Sequence, residues 1–153
     1  MGKATAQDAE LILKLYDLRR ESEMRKARNW FAAEFWPNTF DDYMKIMGDM
    51  GSDGNRWIRQ VVSFWEMAAS LAVHGSIDQE LFLEPSVSGE MFFFYTKLKP
   101  ILPEVREKMG SPEFLANAEK LITGTETGRK HAKAFEQRVA MVKQRLMAQK
   151  AKA

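Results

Sequence analysis

The stretch from Val61 to Val73 is apolar on nearly every side, and Glu66 is the only charged side chain in it. A helix with that surface has to be wrapped by other segments, because apolar area left in water costs roughly 25 cal/mol per Å². The stretch is too short to cross a bilayer, which needs about 20 apolar residues. It therefore predicts a central buried helix, near 56–74, inside a helical body. A chain of 153 residues is long enough to build that body as one domain.

The flanking sequence supplies helices and no strands. Alternation of apolar and polar residues is never sustained, and helix punctuation is frequent. Thr5 with Asp8 predicts an N-cap, and from there one long helix can run to Phe35, where Trp36-Pro37 stops it. Its apolar stripe is Ile12, Tyr16, Ala27, Phe31 and Phe35, and its charged middle, 19–28, is expected to be solvated. Asn38 or Thr39 caps a short helix through Phe40, Tyr43, Met44 and Met47. The Gly-rich run 48–55 is a turn. The central helix ends at His74-Gly75, with Gly75 in the left-handed position after the last turn.

A short helical segment follows Asp78. Another helix covers 86–99 and carries Met91-Phe92-Phe93-Phe94-Tyr95. Pro100 and Pro103 interrupt it before Val105. Ser111-Pro112-Glu113 predicts a restart with proline at the first helical position. The run 124–128 breaks that helix, and a last one extends to about Gln149. The expected architecture is all-α: a single irregular bundle of about six helices. It divides into a body, 1–123, and a basic amphipathic terminal helix, 124–153.

Several of these segments carry a family pattern. Tyr16-Asp17-Leu18-Arg19, Ala27-Arg28-Asn29-Trp30, Phe64-Trp65-Glu66-Met67-Ala68 and Gly75-Ser76-Ile77-Asp78 occur in that order. Lys99-Pro100, Arg106 and Ser111-Pro112 follow them. Over residues 10–122 the chain resembles a widespread bacterial family of small all-helical proteins known only as a domain of unknown function. The resemblance implies a small helical fold and carries over no catalytic residue. The basic terminal helix departs from the family pattern.

The chain has no cysteine, so disulfides, thiolate metal sites and cysteine nucleophiles are excluded. The first residues show no apolar signal segment, and position six is Ala6 where an acylation signal needs Ser or Thr. These features point to a cytoplasmic protein. Two histidines, His74 and His131, stand alone, so no metal site is assigned. The turn from Asp49 lacks the ligands of a calcium loop, and 124–130 lacks the strand and spacing of a phosphate loop. No catalytic residue and no cofactor are assigned.

Three groups of residues remain. Glu66 needs a partner inside its apolar helix, and Arg19, Arg28 and Arg59 are the expected structural partners; a pocketed acid is the functional alternative. Arg56, Trp57, Phe64 and Trp65 are expected beside it, near the middle of the bundle.

On the terminal helix Ala132, Phe135, Val139, Val142 and Leu146 are spaced 3-4-3-4, the seam of a coiled coil. That seam either packs on its own bundle or pairs with a second chain in a homo-oligomer. Residues 129–153 hold eight Lys and Arg against Glu136, a balance of +7, while the rest of the chain balances at −5. Arg129, Lys130, Lys133, Arg138, Lys143 and Arg145 form the basic face, the feature that would meet nucleic acid or an anionic surface. The expected function is a non-enzymatic protein-interaction or scaffolding module with an unidentified protein partner. The alternatives are a nucleic-acid-associated protein and a small-ligand binder or enzyme centred on Glu66.

Overall fold

The structure is a computed structural model, and it describes residues 2–153. Among those residues there is no strand. The chain forms α1 (Ala6–Leu18), α2 (Ser22–Ala33), α3 (Phe40–Met47), α4 (Asp53–Val73), α5 (Gln79–Phe82) and α6 (Pro85–Leu98). A 3-10 turn, Lys99–Ile101, leads into α7 (Leu102–Lys108), α8 (Ala116–Gly124) and α9 (Glu126–Lys152). None of these helices is long and apolar enough to cross a membrane.

The bundle is organised around α4. Its buried residues, Asn55, Ile58, Val61, Trp65, Ala68, Ala69 and Ala72, recur at helical spacing and form one stripe. α2, α3, α5 and α8 all contact it. The three alanines keep that stripe low, which lets neighbouring helices approach closely. The opposite face is less covered: Phe64 is half-buried and Met67 is 42% exposed. The expected all-round sheath is therefore a stripe with an open flank. Arg56 is exposed as well, outside the centre expected for it, while Trp65 is fully inside.

Thr5 caps α1 and Thr39 caps α3, each through a reciprocal pair of bonds with an aspartate three residues on, Asp8 and Asp42. Gly75 ends α4 at φ 79°, the left-handed conformation that favours glycine. Gly128 is needed for a different reason. A side chain there would meet the Leu121 and Ile122 carbonyls, so its absence lets the start of α9 lie against α8.

Two boundaries differ from the pattern. The long helix expected from Thr5 to Phe35 is broken at 19–21. The Glu21 carboxylate turns onto the backbone amides of Glu23 and Met24, 3.1 and 3.0 Å away, and starts a second helix. The break re-aims the apolar face, from Ile12 and Leu15 on α1 to Met24, Ala27 and Phe31 on α2. Tyr16, expected on the inner stripe, is 52% exposed as a result. Ser111-Pro112-Glu113 also starts no helix. Residues 111–115 form a turn, and α8 begins after Leu115, whose φ is 56°.

Candidate functional site

Charged side chains inside the bundle are tied to particular partners. Arg28 of α2 donates from Nε to both carboxylate oxygens of Glu90 on α6, at 2.9 and 2.7 Å. The indole N–H of Trp65 donates to the same carboxylate at 3.1 Å. The Arg28 Nη1 group also donates to the Arg19 carbonyl, 3.2 Å away. Arg19 is buried, and its guanidinium lies 5.1 Å from the Trp65 ring centre and 5.2 Å from that of Tyr16. Burial lowers the Arg19 pKa, while the nearby Glu90 charge opposes that shift. The carboxylate that gathers the arginines is thus Glu90, which the residue pattern passes over, and Glu66 is not their partner.

Glu66 has another role. One of its oxygens accepts from the Asn117 backbone amide at 2.7 Å and from the Asn117 side chain at 2.8 Å; the other accepts from the Ala118 amide at 3.2 Å. These amides are at the start of α8, where the preceding Leu115 has no side chain able to cap them. A carboxylate from α4 supplies the missing cap and sits where the helix dipole favours negative charge. The expected partnership of Glu66 with Arg19, Arg28 or Arg59 is corrected accordingly.

Lys97 of α6 is 5% exposed. Its ammonium donates to the carbonyl of Phe31 near the end of α2. That carbonyl has lost its usual helical donor, because the Phe35 amide turns back to Trp30 instead. The Trp36 ring centre is 3.8 Å from Nζ, with Phe31 and Phe93 at 5.2 and 5.6 Å. No carboxylate pairs with Lys97 among the described residues. Burial pushes its pKa down to about 7. A lysine within the run Met91–Leu98 is the same kind of signal as Glu66 within Val61–Val73, and it could have been read the same way.

A third cluster joins α6, α7 and α8. Arg106 donates to the Phe114 carbonyl at 3.0 Å and to Glu119 at 3.1 Å, and the Tyr95 hydroxyl donates to Glu119 at 3.0 Å. Burial and that bond push the Tyr95 phenol far above its ordinary value.

A cleft of about 690 Å³ lies between α3, α4 and the 111–115 turn. Tyr43, Met47, Ile58, Val62, Phe114 and Leu115 form its apolar wall. Arg59 lines it too and is exposed, which corrects its expected place among the buried polar residues. Its Nε donates to Asn55 Oδ1 at 2.9 Å, and the buried Asn55 in turn donates to the Met47 carbonyl at 2.9 Å. Glu66 also borders the cleft, with its oxygens already bonded to α8.

Two smaller apolar clefts flank α1, a helix with no fully buried residue. Leu18, Met24, Phe64 and Met67 line one; Leu13, Tyr16, Val87 and Phe82 line the other. Leu13 is 65% exposed and Leu18 51%.

On α9, Phe135 and Val139 are buried, while Ala132, Val142 and Leu146 are half-buried. Phe135 stacks on Phe92 of α6 at 5.3 Å. Met141 and Met147 are exposed and lie off this seam. Arg129, Lys130, Lys133, Arg138 and Arg145 are exposed. Lys143 donates to the Asn38 side chain at 2.7 Å, and Arg129 donates to the Thr123 carbonyl at 2.9 Å. His74 bonds the Ser70 carbonyl through Nδ1, and His131 meets Phe92 edge-on. Among the described residues no three His, Cys, Asp or Glu side chains are grouped so as to hold a metal ion.

A family model described as a domain of unknown function, DUF4760, matches residues 4–125. The match ends as α9 begins. No curated protein and no solved structure matched the chain.

Proposed function

The chain belongs to the DUF4760 family, and on that premise we propose that it is a non-enzymatic interaction module that docks a protein partner on the face shared by α1 and α4. One observation carries this reading. Leu18 and Met67 are 51% and 42% exposed, and with Met24 and Phe64 they line an apolar cleft between α1 and α4 that is open to water; Leu13 and Tyr16, 65% and 52% exposed, border a second cleft on the other side of α1. Clustered apolar exposure on a monomeric body marks a contact surface more often than chance placement does. The interior charges support the same reading from the other side. Glu66, Glu90, Arg28 and Lys97 are each bonded to a group on another helix.

The test is affinity capture from the native host with the full chain, before and after nuclease treatment, beside the double variant Leu18→Lys, Met67→Lys. Both positions are exposed, so the variant keeps its fold, as circular dichroism will verify. The expected outcome is a nuclease-resistant protein retained by the unaltered chain and lost by the variant. Retention by both forms would end the α1/α4 assignment. Loss on nuclease treatment alone would move the function to the basic face of α9, whose +7 balance over 129–153 is the observation favouring nucleic acid.

A further inference from the structure

We infer that the cleft between α3, α4 and the 111–115 turn binds a small apolar monocarboxylate, a molecule with an acyl-like body and one carboxylate head, and that Arg59 holds the head. The cleft adjoins the α1/α4 cleft at Gln60 and Ser63, and the inference does not depend on that face.

Size comes first. The cleft is about 690 Å³, within the roughly 300–1,000 Å³ usual for small-molecule sites. Its wall is made by side chains from three separate segments: Tyr43 and Met47 from α3, Ile58 and Val62 from α4, and Phe114 and Leu115 from the turn. Methionine at such a wall can adjust to an alkyl chain. An occupant would therefore meet apolar surface along most of its length.

Charge decides the class. Four charged side chains line the cleft: Arg56, Arg59, Glu66 and Glu113. Arg56 is tied to Asp53 and to the Gly51 carbonyl. Both oxygens of Glu66 are bonded to the start of α8. Glu113 is exposed on the lip. Arg59 is the remaining charge, and among the described residues no carboxylate pairs with it. It is nevertheless held in place. Its Nε is bonded to Asn55, a residue 2% exposed that is itself anchored on the end of α3. Bonding through Nε alone fixes the plane of the guanidinium and leaves the two terminal nitrogens, the pair that matches a carboxylate with parallel bonds. An oriented guanidinium at an apolar wall selects an anion with an apolar body. A bare inorganic anion would forgo the wall, and an alkane would forgo the arginine.

The probe is decanoate, with decanol as its uncharged counterpart, followed by calorimetry and by amide chemical shifts on the full chain. Decanoate should bind saturably with one-to-one stoichiometry, shifting amides of α3, α4 and 111–115, and more tightly than decanol. Arg59→Gln, an exposed change that keeps the fold, should weaken decanoate by about tenfold or more and leave decanol unchanged. Val62→Glu, which puts a like charge on the wall, should weaken decanoate further. Binding that is non-saturable, shifts amides elsewhere, or is indifferent to Arg59→Gln would overturn the inference.

Discussion

Helices α2 and α6 are stitched together twice, once from each side. Arg28 reaches from α2 to the Glu90 carboxylate on α6. Lys97 reaches from α6 to the Phe31 carbonyl on α2. The first cation meets a full opposite charge and shares it with Trp65, in a site still 17–27% open at the side chains. The second has only a carbonyl and aromatic faces, and it is almost closed off from water. The Lys97 site has no opposite charge to offset its desolvation, and burial brings its proton equilibrium down to about 7. One seam between two helices thus contains a paired charge and an unpaired, pH-sensitive one.

Removing the acid should break that contrast most strongly. Glu90→Ala would strand the Arg28 guanidinium and the Trp65 indole together, and the expected cost is about 3 kcal/mol in urea unfolding. A loss below about 1 kcal/mol would mean that the pair is replaced by water without penalty. The Arg28 site would then be no tighter than a surface contact.

The lysine sharpens the contrast through pH. In the unfolded chain Lys97 holds its proton up to its ordinary value of 10.5, while in the folded chain it gives it up near 7. Below 7 both states are protonated, and the penalty for the buried charge is fully present and constant. Between 7 and 10.5 the unfolded state binds more protons, so stability rises with pH. A gain of about 3 kcal/mol from pH 7 to 9.5 is expected, and the Lys97→Met chain should lack it. Equal pH slopes for the two chains would show that Lys97 keeps its charge in the fold.

The smallest effect lies away from that seam. Glu66→Ala removes a cap without stranding a charge, and the expected loss is about 1 kcal/mol. Hydrogen exchange should accelerate at the Asn117 and Ala118 amides first. Uniform acceleration over the whole chain would refute a local role.

Much of this architecture is legible in the residues because it follows from local rules. Thr5 and Thr39 announce their helices by the aspartate three positions on, and Gly75 announces the end of α4. The apolar run of α4 identifies the centre before any contact is known. What is not legible depends on partners distant in the chain. Glu66 needs an opposite pole, and the residue types suggest arginines, yet the nearest positive pole is the end of a helix made of neutral amides. That pole has no letter in the sequence. Glu90 and Arg28 are 62 positions apart, and no spacing rule joins them. The break at 19–21 is hidden for a related reason. Glutamate is a good helix former, and only its carboxylate bending back onto Glu23 and Met24 turns it into a start signal. Arg59 is visible as a charge, but its orientation by Asn55 depends on where α3 ends.

The cap that α4 gives to α8 also bears on the order of assembly. The residues around Leu115 contain no instruction of their own to begin coiling, since their start signal is borrowed from a side chain 51 positions upstream. A nascent α8 would fray until α4 lay beside it, and that loop must close before the borrowed signal arrives. Helices that are separate along the sequence are therefore interdependent in time, with the later one waiting on the earlier.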